Sequence, residues 1–522
     1  MTTFAPGPCD DGVIRAESVA VPCAKASAKW ILTATILGSS MAFIDGTVVN
    51  VALPALQKDL NATVAGVQWV VESYSLLLAA LVLVGGAMGD RYGRRRIFVL
   101  GTALFAVASM WCGLSASIGQ LIAARAVQGA GAALLVPGSL AIISSSFPSE
   151  ERGRAIGTWS AFTAITAAIG PALGGWLIQT LSWRAVFFLN LPLAALVILI
   201  STRHVPESAD QAKGKLDWPG AVLATVGLGT LVYGLIESPS RGFTNALVLA
   251  SLTSAAVFLS LFLVLEMRRQ NPMLPLQLFR SRTFLGANLL TFVLYAALGG
   301  MFFFLPLNLI QVQNYSAPSA GAALLPFILL MFLLSRWSGG LVQRWGERIP
   351  LIVGPVIAGI AFILLARPDV GGLYWTTFFP GLVVLGIGMA VSVAPLTMTV
   401  MNSVSPERAG VASGINNAVS RAAGLLAIAV FGIVMLRAFS GSLDARVAHI
   451  DLPASVHRSL TTEHNHLGAI QPPTFLAPAA QLALRDAITG SFVDGFRQLM
   501  LTAGALAFVG AVVSLLLIPR RR

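Results

Sequence analysis

Runs of about 20 apolar residues recur along this whole chain, each long enough to cross a bilayer as a helix. Fourteen can be placed, at about 30–54, 67–88, 97–116, 120–143, 156–179, 185–202, 218–237, 245–266, 283–307, 320–341, 350–366, 374–398, 410–436 and 494–518. Inside a bilayer every backbone N–H and C=O must be paired within the protein, which leaves only helices or closed barrels. A barrel needs ~10-residue segments of alternating polarity, and the sequence has none. Of 522 residues 56% are hydrophobic and 11% charged, against about 25% charged in soluble domains. The reading is an all-α integral membrane protein.

Net charge is +12, but the Lys and Arg sit in short loops between spans, where they set orientation rather than meet nucleic acid. With the N-terminus inside, the cytoplasmic side collects Arg15, Lys25, Lys29, Arg91, Arg94, Arg95, Arg96, Arg152 and Arg154. It continues with Arg203, Lys213, Lys215, Arg268, Arg269, Arg280, Arg282, Arg344, Arg348, Arg408 and Arg520 to Arg522. The short outer loops hold Lys58, Arg184, Arg241 and Arg367. This bias puts both termini in the cytoplasm, in an inner or plasma membrane. Residues 1–29 are too polar for a signal peptide and the next run is too long for an h-region. They read as a cytoplasmic tail before an uncleaved first helix. Cys9, Cys23 and Cys112 are odd in number and lack paired or metal-ligand spacing, so no disulfide framework is expected.

The chain repeats itself. Helices 4 and 5 read Gly129-Ala130-Gly131, Pro137, Pro148-Ser149-Glu150-Glu151-Arg152-Gly153 and Gly157. Helices 12 and 13 read Gly386-Ile387-Gly388, Pro395, Pro406-Glu407-Arg408-Ala409-Gly410 and Gly414. A six-helix unit at 30–203 thus recurs at 283–522, with two helices inserted at 216–266. Parallel halves of this kind are a transporter architecture with the substrate path near their interface. The second unit includes a long outer loop at about 437–492 that holds His457, His464 and His466. Their spacing matches no standard metal set, so the loop reads as polar, irregular and solvated.

Several motifs carry chemistry. Arg125 lies inside an apolar run, where a charge costs roughly 2.5–3.5 kcal/mol on insertion scales and marks a functional site by default. Gly86-Ala87-Met88-Gly89-Asp90-Arg91-Tyr92-Gly93-Arg94-Arg95-Arg96 joins helices 2 and 3. Its glycines permit a tight turn and close backbone approach. Asp90 suits the positive N-terminal end of another helix, and Arg91 and Arg94 can pair with carboxylates or lipid headgroups. The loop reads as a conformational latch. Its second-half counterpart has Gln343 where Asp90 sits. In helix 5, Gly170-Pro171-Ala172-Leu173-Gly174-Gly175 is either close helix packing or a hinge that seals against leak. Gln128, Trp159, Phe162 and Arg421 are candidate cavity residues. Arg336 is near enough to a helix end to snorkel.

At these residues the chain resembles the major facilitator superfamily, specifically its fourteen-helix drug:proton antiporter branch. The loop at Gly86–Arg96 is similar to the superfamily's cytoplasmic loop signature, with Met88 for the usual leucine. Leu121-Ile122-Ala123-Ala124-Arg125-Ala126-Val127-Gln128-Gly129-Ala130-Gly131 resembles the helix-4 motif. The Gly170–Gly175 stretch resembles the antiporter motif, although Thr166 stands where an earlier glycine is common. Asp45-Gly46-Thr47-Val48-Val49-Asn50-Val51-Ala52-Leu53-Pro54 looks like the branch's helix-1 motif. The resemblance implies the major facilitator fold, with fourteen transmembrane helices as two six-helix bundles plus two inserted ones. It implies proton-coupled efflux of lipophilic, often cationic, drugs, dyes or antiseptics, with the proton gradient and no cofactor as the driving force. For a two-membrane bacterium it also allows a periplasmic adaptor as partner, though no docking surface is identifiable.

Depth arithmetic adds physical content. Asp45 is 15 residues into helix 1, about 22 Å from the inner face at 1.5 Å per residue. In a core about 30 Å thick it lies roughly 8 Å below the outer surface, and Arg125 and Glu72 come to about the same level. Burial and a neighbouring Arg⁺ act in opposite senses on an acid's charge, so small rearrangements can load or unload a proton. By resemblance Asp45 is the proton-coupling carboxylate and Arg125 its helix-4 arginine. Glu72 has two readings, a third member of this set or an interfacial acid facing water. The alternative function is proton-coupled transport of one metabolite, such as an antibiotic, siderophore or sugar. An enzyme is not expected, since there is no His-Glu-x-x-His, Walker motif or nucleophile with its base.

Overall fold

The computed structural model describes residues 25–209, 217–269, 272, 274–404 and 409–519, helical throughout and with no strand among them. Outside the described residues fall the tail to residue 24 with Arg15, Cys9 and Cys23, together with Lys213, Lys215, Pro406 to Arg408 and Arg520 to Arg522. So do the side chains of Lys25, Arg152, Arg154, Arg336 and Gln343.

The first half contains α1 (Lys25–Asp59), α2 (Val64–Tyr92), α3 (Arg94–Leu114), α4 (Ile118–Ser146), α5 (Ser149–Thr180) and α6 (Ala185–His204). Two helices follow, α7 (Trp218–Arg241) and α8 (Ala246–Arg268). The second half has α9 (Arg282–Leu307), α10 in two pieces (Ala317–Ala322 and Leu325–Gly339), α11 (Arg348–Leu365), α12 (Phe378–Asn402), α13 (Ala409–Val447) and α14 (Pro478–Leu517). Thirteen of these, among the described residues, are long and apolar enough to cross a membrane. The remaining one, α5, has 32 residues, about 48 Å at 1.5 Å per residue. This is a multi-pass membrane protein.

Short polar residues start several of the helices. Thr63 Oγ1 accepts from the Gly66 N–H at 3.2 Å ahead of α2, and Ser117 Oγ from the Gln120 N–H at 3.3 Å ahead of α4. Asp217 Oδ1 accepts from the Gly220 N–H at 2.8 Å ahead of α7. Each side chain satisfies an N–H that the first helical turn leaves free.

The internal repeat is physical. α1 packs on α5 and α6, and α4 on α2 and α3; likewise α9 packs on α13 and α14, and α12 on α10 and α11. The halves meet through α1 with α9, α5 with the first piece of α10, and α2 with α13. α7 rests on α2 and α13, whereas α8 is mostly exposed. The face where α1 begins and α14 ends, the terminal face, carries the arginine-rich loops.

At the opposite face the expected loop at about 437–492 is not irregular. α13 runs on to Val447, Ala454–Glu463 forms a further helix, and α14 begins at Pro478. Phe439, Leu443 and Val447 recur every fourth residue and are buried with Leu460, Leu467, Leu476 and Leu484. Arg446 and Asp494 pair at 2.9 Å across the two extensions. The segment is polar on average, yet its apolar residues have the 3.6-residue period of a buried helix face. It roofs a cavity of about 920 Å³ whose wall includes Gln57, Lys58, Gln311, His466 and Arg485.

Candidate functional site

In α1, residues Phe43, Gly46, Thr47 and Asn50 line an inner cavity of about 270 Å³, and Asp45 points away from it toward α4 and α6. There its carboxylate meets Arg125, at 2.5 Å from Nη1 to Oδ2, with both side chains no more than 1% exposed. Gln128, one turn along α4, donates from Nε2 to Asp45 Oδ1 at 2.9 Å and to Ser109 Oγ at 2.7 Å, and accepts from Arg125 Nη1 at 2.7 Å. Asn190 of α6 donates to Ser109 Oγ at 3.1 Å and to Asp45 Oδ1 at 3.4 Å. Arg125 Nε donates to the Val70 carbonyl at 3.1 Å, and its guanidinium lies over the Tyr74 ring at 4.2 Å. Side chains from α4 and α6 thus converge on one buried carboxylate of α1, with Ser109 of α3 holding two of them in place.

This cluster joins Asp45 to Arg125 and leaves Glu72 out. Glu72 is fully buried, so it is not an interfacial acid facing water, and neither carboxyl oxygen has a hydrogen-bond partner. One turn to either side on α2, Gln68 donates to the Ile428 carbonyl at 2.9 Å and Leu76 packs with Val232 and Leu425. Glu72 therefore sits on the face of α2 turned to α7 and α13.

Among the candidate cavity residues, Arg421 lines the inner cavity beside Arg125, Tyr74, Ser75 and Asn50. Gln128 does not; it is fully buried in the Asp45 cluster. Trp159 is half-buried, its indole N–H donating to Ser39 Oγ at 3.1 Å, and Phe162 is exposed.

The helix-5 motif sits where the halves touch. A Cβ on Gly175 would collide with the Ala317 carbonyl of α10, and one on Gly321 with the Pro171 carbonyl. Gly170 and Gly174 leave room instead for the side chains of Thr47 and Val48 of α1, within the first half. At Gly175 and Gly321 the two halves therefore meet backbone against backbone, on the side away from the terminal face.

In the loop between α2 and α3, Gly93 has φ +108° and its counterpart Gly346 has φ +74°, a region that strains residues with a Cβ. Asp90 pairs with Arg94 at 2.8 Å, and Arg91 is exposed. Gly86 makes only ordinary contact with Pro137; the close approach belongs to Gly85, against the Ala133 carbonyl. At the start of α3 Glu207 accepts from the N–H groups of Arg95 and Arg96 at 3.1 and 3.2 Å. Sequence reading missed Glu207, Gly85 and Asn190. An asparagine inside an apolar run was the available signal for Asn190; Glu207, in a polar connection, offered none.

Comparison with known proteins follows the same lines. The model for the Major Facilitator Superfamily matches residues 35–428. The chain is 35% identical over 485 residues to the multidrug resistance protein Stp of Mycobacterium tuberculosis, covering 91% of this chain and 89% of that one. It is 32% identical over 494 residues to the tetracenomycin C resistance and export protein of Streptomyces glaucescens, covering 93% and 90%. It is 33% identical over 496 residues to the drug efflux pump JefA of M. tuberculosis, covering 92% and 96%. Among solved structures, a bacterial homolog to the human lysosomal transporter Spinster superposes with TM-score 0.65 at 19% identity over 94% of this chain and 98% of that one, a likeness of fold.

Proposed function

The chain belongs to the major facilitator superfamily, and from this premise we propose that it is a proton-driven exporter of lipophilic small molecules. The arginine-rich terminal face is cytoplasmic, in a bacterial inner or plasma membrane, and the opposite face is external. Two six-helix bundles, at 30–203 and 283–522, rock about the inner cavity. The observation that carries the reading is the water-excluded Asp45–Arg125 pair beside that cavity. Breaking a buried ion pair at one partner typically costs about 3–5 kcal/mol, enough to bias two conformations against each other.

Asp45 takes the proton. Neutralising it frees the Arg125 guanidinium, which already borders the cavity, to engage the second half instead. The proton thereby acts on cargo through the balance between inward- and outward-facing states, because Asp45 itself is covered. The Asp90–Arg94 loop acts as latch at the cytoplasmic face, and the Gly170–Gly175 motif seals the external side.

In everted vesicles energised with a proton gradient, Asp45→Asn should abolish uptake of any drug the wild type transports. Drug-driven proton release at wild-type rates in that variant would defeat the assignment. A narrower reading draws on relatives named for one antibiotic, such as the tetracenomycin C protein and the puromycin resistance protein pur8 of Streptomyces alboniger, 34% identical. A panel of structurally unrelated efflux substrates separates the two: breadth supports multidrug export, a single transported compound the narrow reading.

A further inference from the structure

The inner cavity carries an unneutralised positive charge. Two guanidiniums reach its wall, Arg125 from α4 and Arg421 from α13. Arg125 is matched by Asp45. Arg421 has no ion pair or hydrogen bond to any described residue, and its nitrogens are not among the sealed, unpartnered polar atoms, so they open to the cavity. No carboxylate is among the described residues that line this cavity, and Tyr74 adds a phenol to its wall. Glu72, the other acid at this depth, is not part of the cavity wall. The remaining polar wall is neutral, from Thr47, Asn50 and Ser75.

We propose that Arg421 is a recognition site for an organic anion, a carboxylate borne on an apolar body, within the cargo that this exporter carries. The proposal rests on the efflux reading and names its substrate class. A guanidinium without a protein partner presents a planar fork of donors that a carboxylate fills with two parallel hydrogen bonds. A cationic cargo would meet like charge and no counter-ion, since the Asp45 carboxylate is hidden behind α1 and already has three donors. The cavity, at about 270 Å³, holds the acidic head and part of the apolar body; whole drug-sized ligands occupy about 300–1,000 Å³.

Three probes with one apolar body test this: pyrenebutyrate, pyrenebutanol and pyrenebutylamine. With purified full-length protein, the wild type should bind the carboxylate at least about tenfold more tightly than the amine, the worth of one charge-assisted hydrogen-bonded pair. Arg421→Gln should erase that preference while keeping pyrenebutanol binding, and Arg421→Lys should restore much of it. Failure of the wild type to bind pyrenebutyrate, or an equal loss of all three probes in Arg421→Gln, overturns the site. Gradient-driven uptake of the probes into vesicles is scored separately. Carboxylate preference in binding without gradient-driven uptake defeats the efflux reading and leaves the site. Gradient-driven uptake without that preference does the reverse.

Discussion

Two carboxylates enter the membrane interior in the first half and meet opposite surroundings. Asp45 has three side-chain donors, Arg125, Gln128 and Asn190; Glu72 has none. Burying a charge without partners is far more costly than burying a neutral group, so a neutral side chain suits the Glu72 position at least as well as a carboxylate. Glu72→Gln keeps the shape without a charge, and its thermal unfolding midpoint should match or exceed the wild type's. Arg125→Ala strands Asp45 and should lower the midpoint, with a cost of about 3–5 kcal/mol. The opposite order of midpoints would show that Glu72 has a partner and Asp45 does not need one. The sequence made Asp45 and Arg125 legible because ionisable residues inside apolar runs are rare and costly. Depth along a helix could not tell that Glu72 faces elsewhere. Two residues separate it from both Val70 and Tyr74, which is about 200° around the axis, and azimuth depends on which helix lies alongside.

At the scale of elements, α5 and α10 are joined by absent side chains. Gly175 and Gly321 let the two backbones touch, each against a carbonyl of the other helix. Without such small residues the helices would stand farther apart, and a path would open between the halves. Gly175→Leu should therefore raise passive proton leak in energised vesicles and slow export. Gly157→Leu on the same helix, where a Cβ meets nothing within 4 Å, should change neither. Equal leak in both variants would reduce the motif to ordinary helix propensity. The motif was recognisable in sequence; its partner was not, because Ala317 and Gly321 look like any small residues at a helix start. Likewise the outer segment of α13 and α14 escaped notice. Its Arg446, Asp494 and Ser442 bond to one another, so polar residues that suggested a solvated loop instead hold two helices side by side.

For the molecule as a whole, the repeat pairs its halves so that α5 against α10 and α2 against α13 are equivalent contacts. The external side is further tied by a chain of amides: Gln311 Nε2 donates to Gln57 Oε1 at 2.8 Å, and Gln57 Nε2 donates to the His466 carbonyl at 3.1 Å. Export by rocking requires all of these to part once per cycle, since they hold the two halves together on the external side. Gln57 belongs to the first half and Gln311 to the second, so cysteines at these two positions report on that parting directly. Joined by a short reducible bifunctional thiol reagent, the pair should hold the external side closed. Gradient-driven uptake should then fall in proportion to the crosslinked fraction, pyrenebutyrate binding should persist, and reduction should restore transport. Each single-cysteine variant treated alike should transport normally. Full transport with nearly all protein crosslinked would mean that the external ends of α1 and α9 move together, and the two-bundle rocking model would have to be abandoned.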